Sequence, residues 1–194
     1  MKDLKKVIIN IGLILTFFII YFLQLNFFSW FKIAGIMPNL FVILILYIGL
    51  FTNRTLGLTY GVVLGILLDL FIGKKIGITA IMLGAVGIMA ALFDKNFSKD
   101  SRMTMMIMVA VSTIIYEIGM YILNYIFFAI NIEIVNFAEI LIVEVIYNII
   151  ITIISLLLLK LLKYLVFKFA PHQNIYIKVM TLEYVIIDHV IKYL

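Results

Sequence analysis

The amino-acid sequence predicts an all-α polytopic membrane protein, built as a bundle of six transmembrane helices. Of its 194 residues, 66% are hydrophobic and only 13% are charged, and the mean hydropathy is +1.26. A soluble domain is nearer half apolar and about a quarter charged. Apolar runs of about the 20 residues that one membrane crossing needs fill most of the chain. They leave no room for a separate soluble domain.

Six apolar runs follow one another, at residues 7–25, 39–52, 55–72, 76–93, 103–130 and 137–159. The first follows a basic start, is longer than the core of a signal peptide and has no small-residue cleavage site, so we expect it to be retained. The second is short for a span. After the sixth, residues 170–194 carry apolar positions at steps of three and four, which is typical of an amphipathic helix. We therefore expect a transmembrane domain at 1–169 and a cytoplasmic amphipathic tail at 170–194.

Lysine and arginine in short loops predict the orientation, because they are enriched on the cytoplasmic side. Basic residues cluster before the first run and after the second, fourth and sixth runs. This favours cytoplasmic N- and C-termini, although Lys74 and Lys75 contradict the rule. A re-entrant pair formed by the second and third runs is the alternative topology.

Several function classes are disfavoured by what the sequence lacks. Cysteine is absent, which excludes disulfides and thiol chemistry within this chain. The two histidines, His172 and His189, lie in the tail, and no phosphate-binding loop or metal-ligand spacing occurs. Lysines flanking membrane helices account for the net charge of +5, so it does not indicate nucleic acid. We expect no enzyme activity, no cofactor and no metal.

Small residues recur at helical spacing in the third and fourth runs. In the third run a stripe advances four residues at a time, which keeps it on one helix face; it consists of Gly57, Gly61, Gly65, Asp69 and Gly73. The fourth run has small residues at steps of three and four, namely Gly77, Ala80, Gly84, Gly87 and Ala91. Such faces let helix backbones approach closely. We expect the two runs to pack as a tight hairpin.

Three carboxyl groups, those of Asp69, Glu117 and Glu144, lie well inside the predicted spans, where each would cost about 2.5–3.5 kcal/mol on insertion scales unless it faces protein or water. The predicted topology places Asp69, Glu117 and Glu144 in the outer half of the membrane. Two of them belong to polar stripes. The stripe on the fifth run consists of Thr113, Glu117, Tyr121 and Asn124, and the stripe on the sixth run consists of Glu144, Asn148, Thr152 and Ser155. Either these stripes join the helices by hydrogen bonds, or they line a polar cavity open to the outside.

Several of these features together resemble the MreD family of bacterial rod shape-determining membrane proteins. The short second run opens with Pro38-Asn39, the third carries a glycine-rich stretch from Gly61 that ends in Asp69, and a short loop leads to Gly77. The resemblance covers residues 7–162. It implies a non-enzymatic scaffold in the cell membrane that supports lateral peptidoglycan synthesis. MreC is the implied partner, with wall-elongation synthases and the MreB filament nearby. For Asp69 it suggests a helix-capping or interhelical role at the outer end of the hairpin.

The alternative is a function of another class, that of a transporter subunit. Substrate-binding subunits of energy-coupling-factor vitamin transporters are also small, apolar six-span proteins, and they hold their ligand in an outward-facing polar pocket. They dock their coupling subunit through small residues, often alanines, on the first helix. The first run here has no alanine and one glycine, Gly12, which disfavours this alternative.

Overall fold

The computed structural model describes residues 2–72, 77–96, 101–128 and 133–169, and each of the six predicted runs forms a helix. We number these helices α1 Lys2–Phe22, α2 Leu40–Phe51, α3 Arg54–Ile72, α4 Ile78–Asn96, α5 Arg102–Phe128 and α6 Ile134–Phe169. No strand occurs in the described part of the chain; Ile33 and Ile36 form an isolated bridge. The predicted all-α membrane fold is confirmed. The tail at 170–194 lies outside the described residues.

Helix α1 continues through a π-helical turn, Leu23–Phe27, and a last helical turn, Phe28–Trp30. Its anchor in the bundle is Phe17, which is fully buried and whose ring centroid lies 5.4 Å from that of Phe41. Neighbouring apolar side chains such as Phe18 and Ile19 are about half exposed or more. This exposed face suits contact with lipid.

Helix α2 is the centre of the bundle. Most of its side chains are buried on every side, from Leu40 to Leu50, as expected for a helix that is hydrophobic all round. Its 12 residues extend about 18 Å, well short of a hydrocarbon core of about 30 Å. It begins inside the protein, after the buried Pro38. The short second run is therefore a core helix reached by the non-helical segment at 31–39.

The remaining helices pair around α2. Helices α3 and α4 form the most extensive pairing, α5 packs with α6, and α4 also contacts both α2 and α5. Helices α2 and α3 are joined by a tight turn in which the Asn53 side chain accepts a hydrogen bond from the backbone N–H of Leu56 at 2.9 Å. The turn, followed directly by α3, positions the glycine face of α3 against α4.

Three of the described helical stretches are long and apolar enough to cross a membrane: Arg54–Ile72, Arg102–Phe128 and Ile134–Leu161. Three others are apolar but shorter, at Ile14–Trp30, Leu40–Phe51 and Ile78–Phe93. These lengths fit a membrane protein.

Candidate functional site

The hairpin of α3 and α4 is held together by close backbone contact at its glycines. A β-carbon on Gly61 would collide with the backbone of Leu83, and one on Gly65 would collide with the backbone of Ala80. Gly84 on α4 faces α3 across the same interface. A β-carbon on Gly84 would lie 2.9 Å from the Val62 side chain. No side chain larger than hydrogen fits at Gly61 or Gly65 without moving a helix backbone.

A third helix joins this contact at its cytoplasm-facing end in the predicted topology. The backbones of Gly49 on α2, Gly57 on α3 and Gly87 on α4 meet there. A β-carbon on Gly57 would lie 2.7 Å from the Gly87 carbonyl oxygen and 2.9 Å from the Gly49 Cα atom. Gly49 was not singled out from the sequence, because a lone glycine in a short apolar run forms no stripe. The glycine faces of α3 and α4 are therefore buried in contacts within the protein.

At the opposite end of the hairpin, Asp69 caps α4. Its Oδ2 atom accepts a hydrogen bond from the backbone N–H of Gly77 at 2.7 Å and a longer one from Ala80 at 3.4 Å. The Gly77 carbonyl oxygen accepts the first helical hydrogen bond of α4, from Ile81 at 3.0 Å. Gly77 has a φ of +103°, a conformation that favours glycine. Gly73, the next member of the predicted stripe, lies outside the described residues.

Asp69 is 4% exposed, so its position needs a physical reason. N–H groups in the first turn of a helix have no partner within the helix, and the helix end carries partial positive charge. A carboxylate placed there satisfies these donors and is itself stabilised. This contact explains how an aspartate is accommodated inside an apolar helix.

A second polar cluster ties α6 to the start of α2. The Asn148 side-chain oxygen accepts from the backbone N–H of Asn39 at 2.7 Å, and its amide donates to Thr113 Oγ1 at 2.9 Å. The Asn39 side chain accepts from the N–H of Val42 at 3.3 Å, as an N-cap does. Gln24 on the π turn accepts from the N–H of Leu40 at 3.0 Å. The buried N-terminus of α2 is therefore satisfied by three side chains from different parts of the chain.

The two glutamates of the predicted stripes lie close to each other and next to this cluster. Glu117 on α5 and Glu144 on α6 approach within hydrogen-bonding range of each other, and the Asn39 side chain lies within such range of Glu144 and of Tyr116. Glu144 Oε1 is buried without a hydrogen-bond partner.

Other members of the predicted stripes have separate contacts. Tyr47 on α2 hydrogen-bonds Ser155 at 3.1 Å, and Tyr121 stacks near Phe137 with ring centroids 4.6 Å apart. Asn124 donates back to the carbonyl of Met120 at 2.7 Å. The stripes thus provide hydrogen bonds between helices, which is one of the two alternatives left open by the sequence.

A cavity of about 320 Å³ lies nearby, and of the two polar stripes only Asn124 is among its described lining residues. Its wall is formed by side chains of the π turn, the start of α2, the end of α3, the start of α4 and the second half of α5, including Asp69, Asn39 and Asn124. The cavity and the Asn148 cluster share Asn39, and most of the cavity surface is apolar. In the part of the chain that the structure describes, no group of three histidine or acidic side chains is placed to hold a metal ion.

Comparison with known proteins identifies one family. The family model described as rod shape-determining protein MreD matches residues 5–168. No curated protein matches the chain significantly, and neither does any solved structure.

Proposed function

Because this chain belongs to the MreD family and so to the rod shape-determining proteins, we propose that it is a non-enzymatic scaffold of the membrane machinery that elongates the lateral cell wall. In this proposal it binds MreC and so helps to connect the wall-elongation synthases to the MreB filament. The family model extends over most of the chain, from the start of α1 to the end of α6. That match is the observation that carries the proposal.

We further propose that all six helices belong to a multi-pass domain at 1–169 in the cell membrane, with both termini in the cytoplasm. Helices α3, α5 and α6 are long enough to cross alone. Helix α2 is too short to cross alone, and in this proposal the segment at 31–39, in which Pro38 is buried, supplies the rest of the crossing. The cytoplasmic tail at 170–194 and the basic loop between α4 and α5 are then available to cytoplasmic components.

The packing of the hairpin limits where MreC can bind. The glycine faces of α3 and α4 are buried against each other and against α2, so a partner cannot reach them without opening the bundle. The opposite face of α3 is accessible, with Val63, Ile66 and Leu70 each at least 40% exposed. We propose that the hairpin acts as a rigid support, and that MreC contacts its outer surface.

Asp69 has a positioning role in this scheme. By capping α4 from α3 it fixes the relative height of the two helices. We propose that this end of the hairpin is part of the surface that receives MreC. Loss of the cap would then weaken MreC binding even though the Asp69 side chain is buried.

The proposal is tested with the purified protein and MreC reconstituted together in nanodiscs. Asp69→Ala removes the acceptor of both hydrogen bonds, whereas Asp69→Asn keeps a carbonyl oxygen for Gly77. Leu70→Ala, at the exposed neighbouring position, is the control for a surface change. We expect Asp69→Ala to weaken MreC binding by about tenfold, as the loss of roughly 1.4 kcal/mol would, and Asp69→Asn to weaken it less. Wild-type affinity in Asp69→Ala, at unchanged protein level, would refute the positioning role of Asp69.

The alternative as a substrate-binding transporter subunit rests on one observation, a cavity of about 320 Å³ that Asp69, Asn39 and Asn124 help to line. Its volume is near the lower end of the range for ligand pockets. Copurification distinguishes the two functions. A transporter subunit would be recovered with paired ATPases and a membrane coupling subunit, and a scaffold with MreC.

A further inference from the structure

The cavity at the outer end of the bundle in the proposed topology is a partly enclosed space of about 320 Å³. Side chains from five helical segments line it, and the polar and aromatic ones include Tyr21, Gln24, Asn39, Asp69, Thr79 and Tyr116. A water molecule occupies about 30 Å³ in the liquid. The space is therefore large enough for a small polar group, such as a lipid headgroup or a free small molecule.

One of the described side chains on the cavity wall is a carboxylate. It belongs to Asp69, and no lysine, arginine or histidine is among the described lining residues; the loop at 73–76, which contains Lys74 and Lys75, lies outside the described part of the chain. The hydrogen bonds from Gly77 and Ala80 both go to Oδ2, so they involve one of the two carboxylate oxygens. A carboxylate on the wall repels anions and attracts cations.

The surroundings of the cavity supply further acceptors. Asn39 lines the cavity, and its side chain is a neighbour of Glu144 and of Tyr116, which also lines the cavity. Glu144 is 6% exposed and its Oε1 atom has no hydrogen-bond partner. A buried oxygen without a donor is costly. Glu144 is not among the described lining residues, so its oxygen adds acceptor capacity behind the wall, next to Asn39.

We propose that this cavity binds a primary ammonium group, carried either by an aminophospholipid headgroup or by a free small amine. An ammonium offers three hydrogen-bond donors and no acceptor, which complements Asp69 and the side-chain oxygens of Gln24 and Thr79. The rings of Tyr21 and Tyr116 are suited to cation–π contact, which strengthens when the cation is desolvated. The cavity size matches a headgroup, and its depth in the membrane allows access from the surrounding lipid.

The test uses the full chain alone in nanodiscs, so its result is independent of MreC binding. Native mass spectrometry compares the retention of phosphatidylethanolamine and phosphatidylglycerol. Asp69→Asn keeps an acceptor for Gly77 but removes the charge. Met120→Trp fills the cavity from α5, and Ile122→Trp, at a position 47% exposed on the same helix, controls for an added indole ring. Melting temperatures show whether each variant folds.

The wild-type protein and Ile122→Trp are expected to retain phosphatidylethanolamine over phosphatidylglycerol. Asp69→Asn should reduce that preference about tenfold or more, the size expected for one charge-assisted hydrogen bond. Met120→Trp should abolish it; if this variant does not fold, Asp69→Asn decides the outcome. When no lipid preference is seen, ethanolamine and methylamine are titrated as free amines. A rise in melting temperature that Asp69→Asn lacks would assign the site to a soluble amine.

Two results would overturn the proposal. One is the absence of any preference for phosphatidylethanolamine together with no response to either free amine. The other is binding by Asp69→Asn that equals wild type, because the carboxylate charge would then have no part in recognition.

Discussion

The Asp69 carboxylate accepts a hydrogen bond from the backbone N–H of Gly77 at 2.7 Å, and this contact links the end of α3 to the start of α4. The two residues are eight positions apart in the sequence, across a loop that reverses the chain. An acid that is unfavourable in an apolar helix becomes favourable beside the unpaired N–H groups of the next helix. The end of α3 is thereby fixed to the start of α4.

Loss of this cap should destabilise the protein. We expect Asp69→Ala to lower the free energy of unfolding by about 0.5–2 kcal/mol, the usual cost of removing an N-cap side chain. Asp69→Asn should cost less, because its amide oxygen can accept from Gly77. Unfolding in mixed micelles with increasing sodium dodecyl sulfate measures the difference. Equal stability of Asp69→Ala and wild type would show that the hydrogen bond contributes nothing.

Close packing at the hairpin predicts that Gly65→Ala lowers the free energy of unfolding. The added methyl group would collide with the Ala80 backbone, which cannot move without separating the helices. Overpacking of this kind costs about 1–3 kcal/mol. Gly12→Ala is the matched control, since nothing lies within 4 Å of a β-carbon there. Unfolding of both variants in the same micelles should show a loss for Gly65→Ala alone; equal stabilities would mean that the interface is looser than described.

Gly119 on α5 should tolerate the same change. A β-carbon there would meet the end of the Met82 side chain, which is flexible and can adopt another rotamer. Gly119→Ala is therefore expected to change the free energy of unfolding by less than about 1 kcal/mol, partly offset by the better helix propensity of alanine. A loss as large as that of Gly65→Ala would indicate that Met82 cannot move. A melting curve in detergent is sufficient for this comparison.

Asn148 should be important for stability because it connects three helical segments. Asn148→Leu would leave the buried N–H of Asn39 without its partner and remove the hydrogen bond to Thr113. An unsatisfied buried group costs about 1–3 kcal/mol. Asn136→Leu is the control on the same helix, at an exposed position. Chemical unfolding should separate the two variants, and similar losses would argue against the connecting role of Asn148.

The proposed orientation can be tested with single cysteines, because the chain contains none. Lys32→Cys and Ser101→Cys replace exposed residues on opposite sides of the membrane in the proposed topology. A membrane-impermeant maleimide should label position 32 in right-side-out vesicles and position 101 in inverted vesicles. Labelling of both positions from one side would contradict the six-span arrangement.

The sequence predicted the helices and the hairpin better than it predicted the polar interior. Apolar run length and the four-residue glycine spacing are local patterns, and they identified all six helices and the α3–α4 contact surface. The contact of Asn148 with Asn39 joins residues 109 positions apart, so no local spacing could reveal it. The sequence predicted similar depths for Glu117 and Glu144, but their proximity depends on the packing of α5 on α6. The cavity likewise depends on how five helical segments meet.

The central claim is that the chain is a scaffold of the cell-elongation machinery. The most direct test is affinity purification of the tagged protein from gently solubilised native membranes, followed by mass spectrometry of its partners. We predict recovery of MreC together with wall-elongation synthases. Recovery of paired ATPases with a membrane coupling subunit, and no MreC, would contradict the claim and support a substrate-binding transporter subunit.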